Sequence, residues 1–130
     1  MTDFDRSKYL RPVLRSFGLI FIFGLYPLTV YWPSGWSWHT GPSEQMIIAL
    51  YATLGFFLIL AAGNPENYVS LVSFTIWSSI VHGLLMAFQS LAMPEHMHHL
   101  CGDVPALFVI AAALGYLSPS AFRLPLSAAS

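Results

Sequence analysis

The stretch Tyr68–Ala92, YVSLVSFTIWSSIVHGLLMAFQSLA, decides the fold. It runs for 25 residues without an Asp, Glu, Lys or Arg, and it carries one histidine, His82. A helix needs roughly 20 apolar residues to cross the ~30 Å hydrocarbon core of a bilayer. The run therefore reads as a membrane span. Pro94 closes it, and a short loop follows, Glu95-His96-Met97-His98-His99-Leu100-Cys101-Gly102, before Asp103. Four of the five histidines and the only cysteine lie between Ile76 and Asp103.

The rest of the chain agrees in composition. Only 8% of the 130 residues are charged and 56% are hydrophobic. Soluble domains carry about 25% charged residues. So few charges cannot cover a water-facing surface, and lipid is the expected solvent. One cysteine excludes an intramolecular disulfide. The basic residues form no clustered stripe of the kind nucleic-acid binding needs, so that class is set aside. No phosphate-cradling glycine loop, H-E-x-x-H or nucleophile motif is present.

Outward from the deciding stretch, Gly63-Asn64-Pro65-Glu66-Asn67 reads as a tight turn. Before it, Glu44–Ala62 is a second apolar run, with Ser43 as its expected N-cap. Earlier still, Val13–Trp32 is a first span, with a kink expected at Pro27. It is taken as a retained signal-anchor, because TVYWPSGW offers no small-residue cleavage pattern. The segment Tyr31–His39 sets four rings among Pro and Gly, as interfacial belts do. After the histidine loop, a fourth span begins at Asp103, expected as an N-cap. Its apolar run to Leu117 is short, so the helix is expected to extend through Phe122; a locally thinned bilayer and a helix that does not fully cross are the alternatives. The fold class is all-α: an integral membrane four-helix bundle. Residues 1–12 form an N-terminal tail, 13–122 the four-span domain and 123–130 a C-terminal tail.

Four spans put both termini on one side. All five cations, Arg6, Lys8, Arg11, Arg15 and Arg123, fall on that side. By the positive-inside rule both termini are expected to be cytoplasmic. The Trp-rich loop and the histidine loop then share the outer face, and a bacterial inner membrane is the expected location.

Three groups of residues could carry chemistry. On the third span, Thr75, Ser78, Ser79, His82, Met86 and Gln89 share one helix face. An ionisable group at this depth should face protein or water rather than lipid. On the second span, Glu44, Ile48, Tyr51, Gly55, Leu58 and Ala62 share a face. A tight turn joins these two spans, so they are expected to be antiparallel neighbours. At ~1.5 Å per residue, Tyr51 and His82 then stand at nearly the same depth. Glu44 and Gln89 likewise match near the outer mouth. A cleft lined by Glu44, Tyr51, His82 and Gln89 is one reading; ordinary packing with polar groups as interhelical ties is the other. The third group is the loop. His96, His98, His99 and Asp103 are candidate ligands for a transition metal, although H-x-H-H matches no structural zinc pattern. The bland alternative is polar residues at a headgroup interface, and pH sensing is a further use. Beyond a transition metal on this loop, the sequence leaves the cofactor unknown.

The order WPSGW, EQM-x4-YATLG, an N-P turn, W-S-S-x2-H-G-x2-M and GDVPAL resembles a family of small bacterial four-helix membrane proteins that carries only a domain-of-unknown-function label. The resemblance covers about Pro33–Leu117. It implies a four-helix membrane fold, distantly similar to DoxX-like and EXPERA-like bundles, in which polar groups line a pocket between helices. It carries no catalytic residue across. The expected function is a binding or accessory subunit, holding a hydrophobic small molecule or a larger membrane complex within the lipid bilayer. The alternatives are a membrane enzyme with acid/base chemistry at His82, assisted by Tyr51 or Glu44, and the outer-face metal site.

Overall fold

A computed structural model of the chain describes residues 2–24, 42–95, 100 and 102–128. All regular structure among these residues is helical. The Pro27 kink, the Trp-rich belt, and loop residues His96, Met97, His98, His99 and Cys101 lie outside the described residues.

Helix α1 spans Asp3–Leu19. Thr2 caps it: its hydroxyl accepts from the Asp5 backbone N–H, and the Asp5 carboxylate accepts from the Thr2 N–H. This reciprocal pair satisfies donors that a helix start leaves orphaned. The helix runs unbroken across Pro12, so residues of the expected N-terminal tail and of the expected first span belong to one element. A turn of π-helix, Ile20–Gly24, continues it. Leu10, Leu14, Gly18 and Phe21 recur at helical spacing and are buried, while Lys8, Arg11 and Arg15 are exposed.

Helix α2 spans Pro42–Gly63. It begins one residue before the expected Ser43 cap; proline at a first helical position has the right φ and needs no hydrogen-bond acceptor for its nitrogen. A 3-10 turn, Pro65–Tyr68, leads into α3, Val69–Ala92. At 24 residues α3 is about 36 Å long. It ends at Met93, held extended (φ −125°, ψ 105°) because Pro94 follows.

Helix α4 spans Asp103–Leu117, with Gly102 rather than Asp103 in the cap position. The expected extension through Phe122 does not occur. The chain bends by 99° at Ser118, and α5, Pro119–Ala128, sets off across the bundle. Pro119 disfavours the helical conformation for the residue before it, and Ser118 sits at φ −134°, ψ 73°. Trp77 fastens α5 to α3. Its indole Nε1–H donates to the Phe122 carbonyl at 3.0 Å, and the two rings stack at 5.2 Å and 15°.

Small residues share the interior with large apolar ones such as Leu14, Leu58, Ile76 and Leu114, while much large apolar surface faces outward. Among the small ones, Ala61, Ala62, Ser73, Thr75, Ser79, Ala111 and Ala121 are buried. Large apolar side chains point out: Met46 is 73% exposed, Leu50 69%, Phe88 69% and Leu91 72%. Helices in lipid associate through small residues because apolar side chains gain nothing by leaving a hydrocarbon solvent. By length and hydropathy Gln45–Gly63 and Pro65–Ala92 can each cross a membrane, and the bent pair α4–α5 makes a third if it counts as one span.

Neighbour relations differ from the expected order. The long seam of α2 is with α1, and the long seam of α3 is with α4. Among the described residues, helices α2 and α3 share their fully buried core near the connecting turn, where Leu58, Ala61 and Ala62 join Val72 and Ile76 in one cluster.

Candidate functional site

Between these two seams, midway along α2 and α3, sits the pair Tyr51 and His82. Tyr51 is nine residues from the start of α2, about 14 Å along its axis; His82 is ten from the end of α3, about 15 Å. The antiparallel course brings them level. The Tyr51 hydroxyl and His82 Nδ1 share a 2.7 Å hydrogen bond, its direction set by the imidazole tautomer. The rings lie at 6.1 Å and 24°, and both side chains are half-buried.

A third residue closes the pair. Phe21, buried on the π-helical turn, meets the Tyr51 ring edge-on at 5.2 Å and 65°. Its place follows from the α1–α2 crossing. Gly18 and Gly55 meet there backbone to backbone: a Cβ on either would lie 2.6 Å from the other's carbonyl oxygen. Three residues on from Gly18 is Phe21, and four back from Gly55 is Tyr51. Phe21 carried no sequence signal of its own; the shared register of the two glycines is what places it.

The other candidates do not gather around this pair. Gln89 is seven residues further along α3, about 10 Å away along the axis, and exposed. Glu44 belongs to the first turn of α2, a similar distance from Tyr51, and its side chain lies outside the described residues. The Thr75 hydroxyl donates to the Leu71 carbonyl and the Ser78 hydroxyl to that of Thr75, so both are satisfied within their own helix. His96, His98 and His99 are outside the described residues, as is the Asp103 side chain. Among the described residues no three His, Cys, Asp or Glu side chains group as a metal site.

Chemically, the pair can do two things. A neutral imidazole donates at one nitrogen and accepts at the other, so the bond to Tyr51 satisfies one of the two and ties α2 to α3. The same bond fixes the ring, which an acid–base group also requires. Two cavities, of about 610 Å³ and 460 Å³, lie elsewhere; neither Tyr51 nor His82 lines them.

The chain belongs to a family of unknown function, DUF6632, which it matches over residues 6–124. The match shows this family and neither a DoxX-like nor an EXPERA-like bundle. No curated protein and no solved structure matches the chain.

Proposed function

We propose that this member of the family is a small integral membrane protein acting as a binding or accessory subunit, which holds a partner membrane protein or a hydrophobic ligand through its bundle and outer face. In this reading the chain crosses the membrane four times, with both termini cytoplasmic. The four cations of α1 and Arg123 on α5 support that orientation through the positive-inside rule. The observation that carries the functional reading is the Tyr51–His82 hydrogen bond. The mid-helix polar pair is turned upon itself, and the outward surface beside it is large and apolar, from Met46 and Leu50 on α2 to Phe88 and Leu91 on α3. Intramembrane polar pairs of this kind act as interhelical ties.

A photo-crosslinking residue placed at Leu50 or at Phe88 tests the reading in cells. A discrete adduct of defined mass at one of the two positions is expected; labelling of bulk lipid alone at both would overturn it.

The same hydrogen bond supports a second reading, an acid–base site at His82 with Tyr51 as its partner. His82→Phe separates the two. An accessory subunit keeps its adduct and loses stability of about 1–3 kcal/mol, because the Tyr51 hydroxyl loses its acceptor or donor. An acid–base site loses turnover or ligand binding while stability holds.

A further inference from the structure

The two cavities flank the corner where α4 turns into α5. The larger, about 610 Å³, opens at the end of the bundle that carries both termini. Its polar lining includes Arg6 and Ser7 of α1, Glu66 of the 3-10 turn, and Ser118, Ser120 and Arg123 at the corner and on α5. The smaller, about 460 Å³, is an apolar groove between α3, α4 and α5, lined by Ile80, Phe108, Gly115, Tyr116 and Phe122 among others. Both volumes fall in the range of small-molecule sites, about 300–1,000 Å³.

The cavities are neighbours through two residue pairs. The Arg6 guanidinium lies over the Tyr116 ring, 5.6 Å from its centroid, so one residue of the polar cavity rests on one of the groove. Phe122 lines the groove and its neighbour Arg123 lines the cavity. A polar, cationic chamber beside an apolar groove, at the headgroup end of a membrane bundle, has the shape of a phospholipid.

We propose that Arg6 and Arg123 hold the phosphate of an anionic phospholipid in this chamber, with one acyl chain laid in the groove against Phe108 and Phe122. Among the described residues that line the chamber, two guanidinium groups stand beside one carboxylate. Basic pockets between helices on the cytoplasmic side are where anionic headgroups bind. Arginine suits this role because its planar fork of five N–H donors can hold phosphate oxygens while another edge serves a second partner. Ser7 donates to Glu66 at 3.2 Å, which draws that carboxylate to the wall formed by α1 and the turn. Ser118 and Ser120 supply hydroxyl donors on the facing wall. The bend at Ser118 makes the site, because a straight fourth span would carry Phe122 and Arg123 away from it. This inference goes beyond the accessory-subunit role and rests on the orientation proposed with it, both termini cytoplasmic.

The test uses the full chain in detergent, titrated with phosphatidylglycerol and followed by native mass spectrometry. One retained lipid per chain is expected, with phosphatidylcholine held more weakly. Arg123→Gln changes an exposed residue and should weaken retention about fivefold; Arg6→Gln combined with it should weaken retention about thirtyfold. The double variant Arg11→Gln/Arg15→Gln removes the same charge from α1 outside the chamber and should leave retention unchanged. Ala112→Phe fills the groove and should weaken phosphatidylglycerol but not glycerophosphate. Equal losses in the two double variants would mean general charge attraction and would overturn the site. Displacement of the lipid by inorganic phosphate at equal concentration would overturn the lipid assignment.

Discussion

Both seams of the bundle are closed over glycine, and the two contacts differ in kind. On the α1–α2 seam, Gly18 and Gly55 bring two backbones together, and a methyl on Gly55 would meet the Gly18 carbonyl at 2.6 Å and Phe21 Cβ at 2.9 Å. On the α3–α4 seam, Gly83 faces the far edge of the Phe108 ring, where an added methyl would sit 3.2 Å from Cζ. A backbone carbonyl cannot step aside without moving its helix, whereas a ring edge can swing by a few tenths of an ångström. The first seam is therefore rigid in register and the second adjustable. Phe21 and Tyr51 ride on the rigid seam, so the position of the Tyr51 hydroxyl against His82 is set by α1 as much as by α2.

The contrast can be broken most sharply at Gly55. Gly55→Ala should destabilise the protein by about 2–3 kcal/mol, the upper part of the overpacking range, by forcing α1 off α2 and Phe21 off Tyr51. Unfolding in mixed micelles measures it, and a change under ~0.5 kcal/mol would mean that the seam is not closed. An intermediate effect is expected where α5 meets the adjustable seam. Trp77→Phe keeps a ring against Phe122 but removes the donor to its carbonyl, costing about 1 kcal/mol. Protease cleavage after Arg123 should speed up correspondingly, and an unchanged rate would detach α5 from Trp77. The smallest effect is expected at Gly83. In Gly83→Ala the shift of Phe108 is offset by a helix-propensity gain of up to ~1 kcal/mol, leaving stability within about 0.5 kcal/mol. A loss comparable to that of Gly55→Ala would erase the distinction between the seams.

The elements that could be read in the sequence are those whose signal is local. The α2 and α3 spans follow from uninterrupted apolar runs, and the meeting of Tyr51 and His82 follows from counting residues inward from two helix ends joined by a short turn. What could not be read depends on contacts that no short connection announces. The tight turn at Gly63–Asn67 made α2 and α3 look like full-length neighbours, yet Gly55 turns to Gly18, because two facing glycines let helix backbones touch. The bend at Ser118 had its signal, a serine before a proline, but the shortness of the apolar run to Leu117 argued for an extended span. The Trp77 bond to the Phe122 carbonyl, which holds α5 in its bent course, had no local trace. The chamber formed by Arg6 and Arg123 was equally hidden, because its two ends lie near opposite termini of the chain.

The central claim is that Tyr51 and His82 tie the two seams together. A double-mutant cycle tests it most directly, with Tyr51→Phe, His82→Phe and the combined variant unfolded side by side in mixed micelles. A tie predicts a coupling of about 0.6–1.7 kcal/mol between the two positions, from the average to the maximum of interhelical hydrogen bonds measured in a membrane bundle. Additive losses, with no coupling, would contradict it and leave His82 free to serve some other partner.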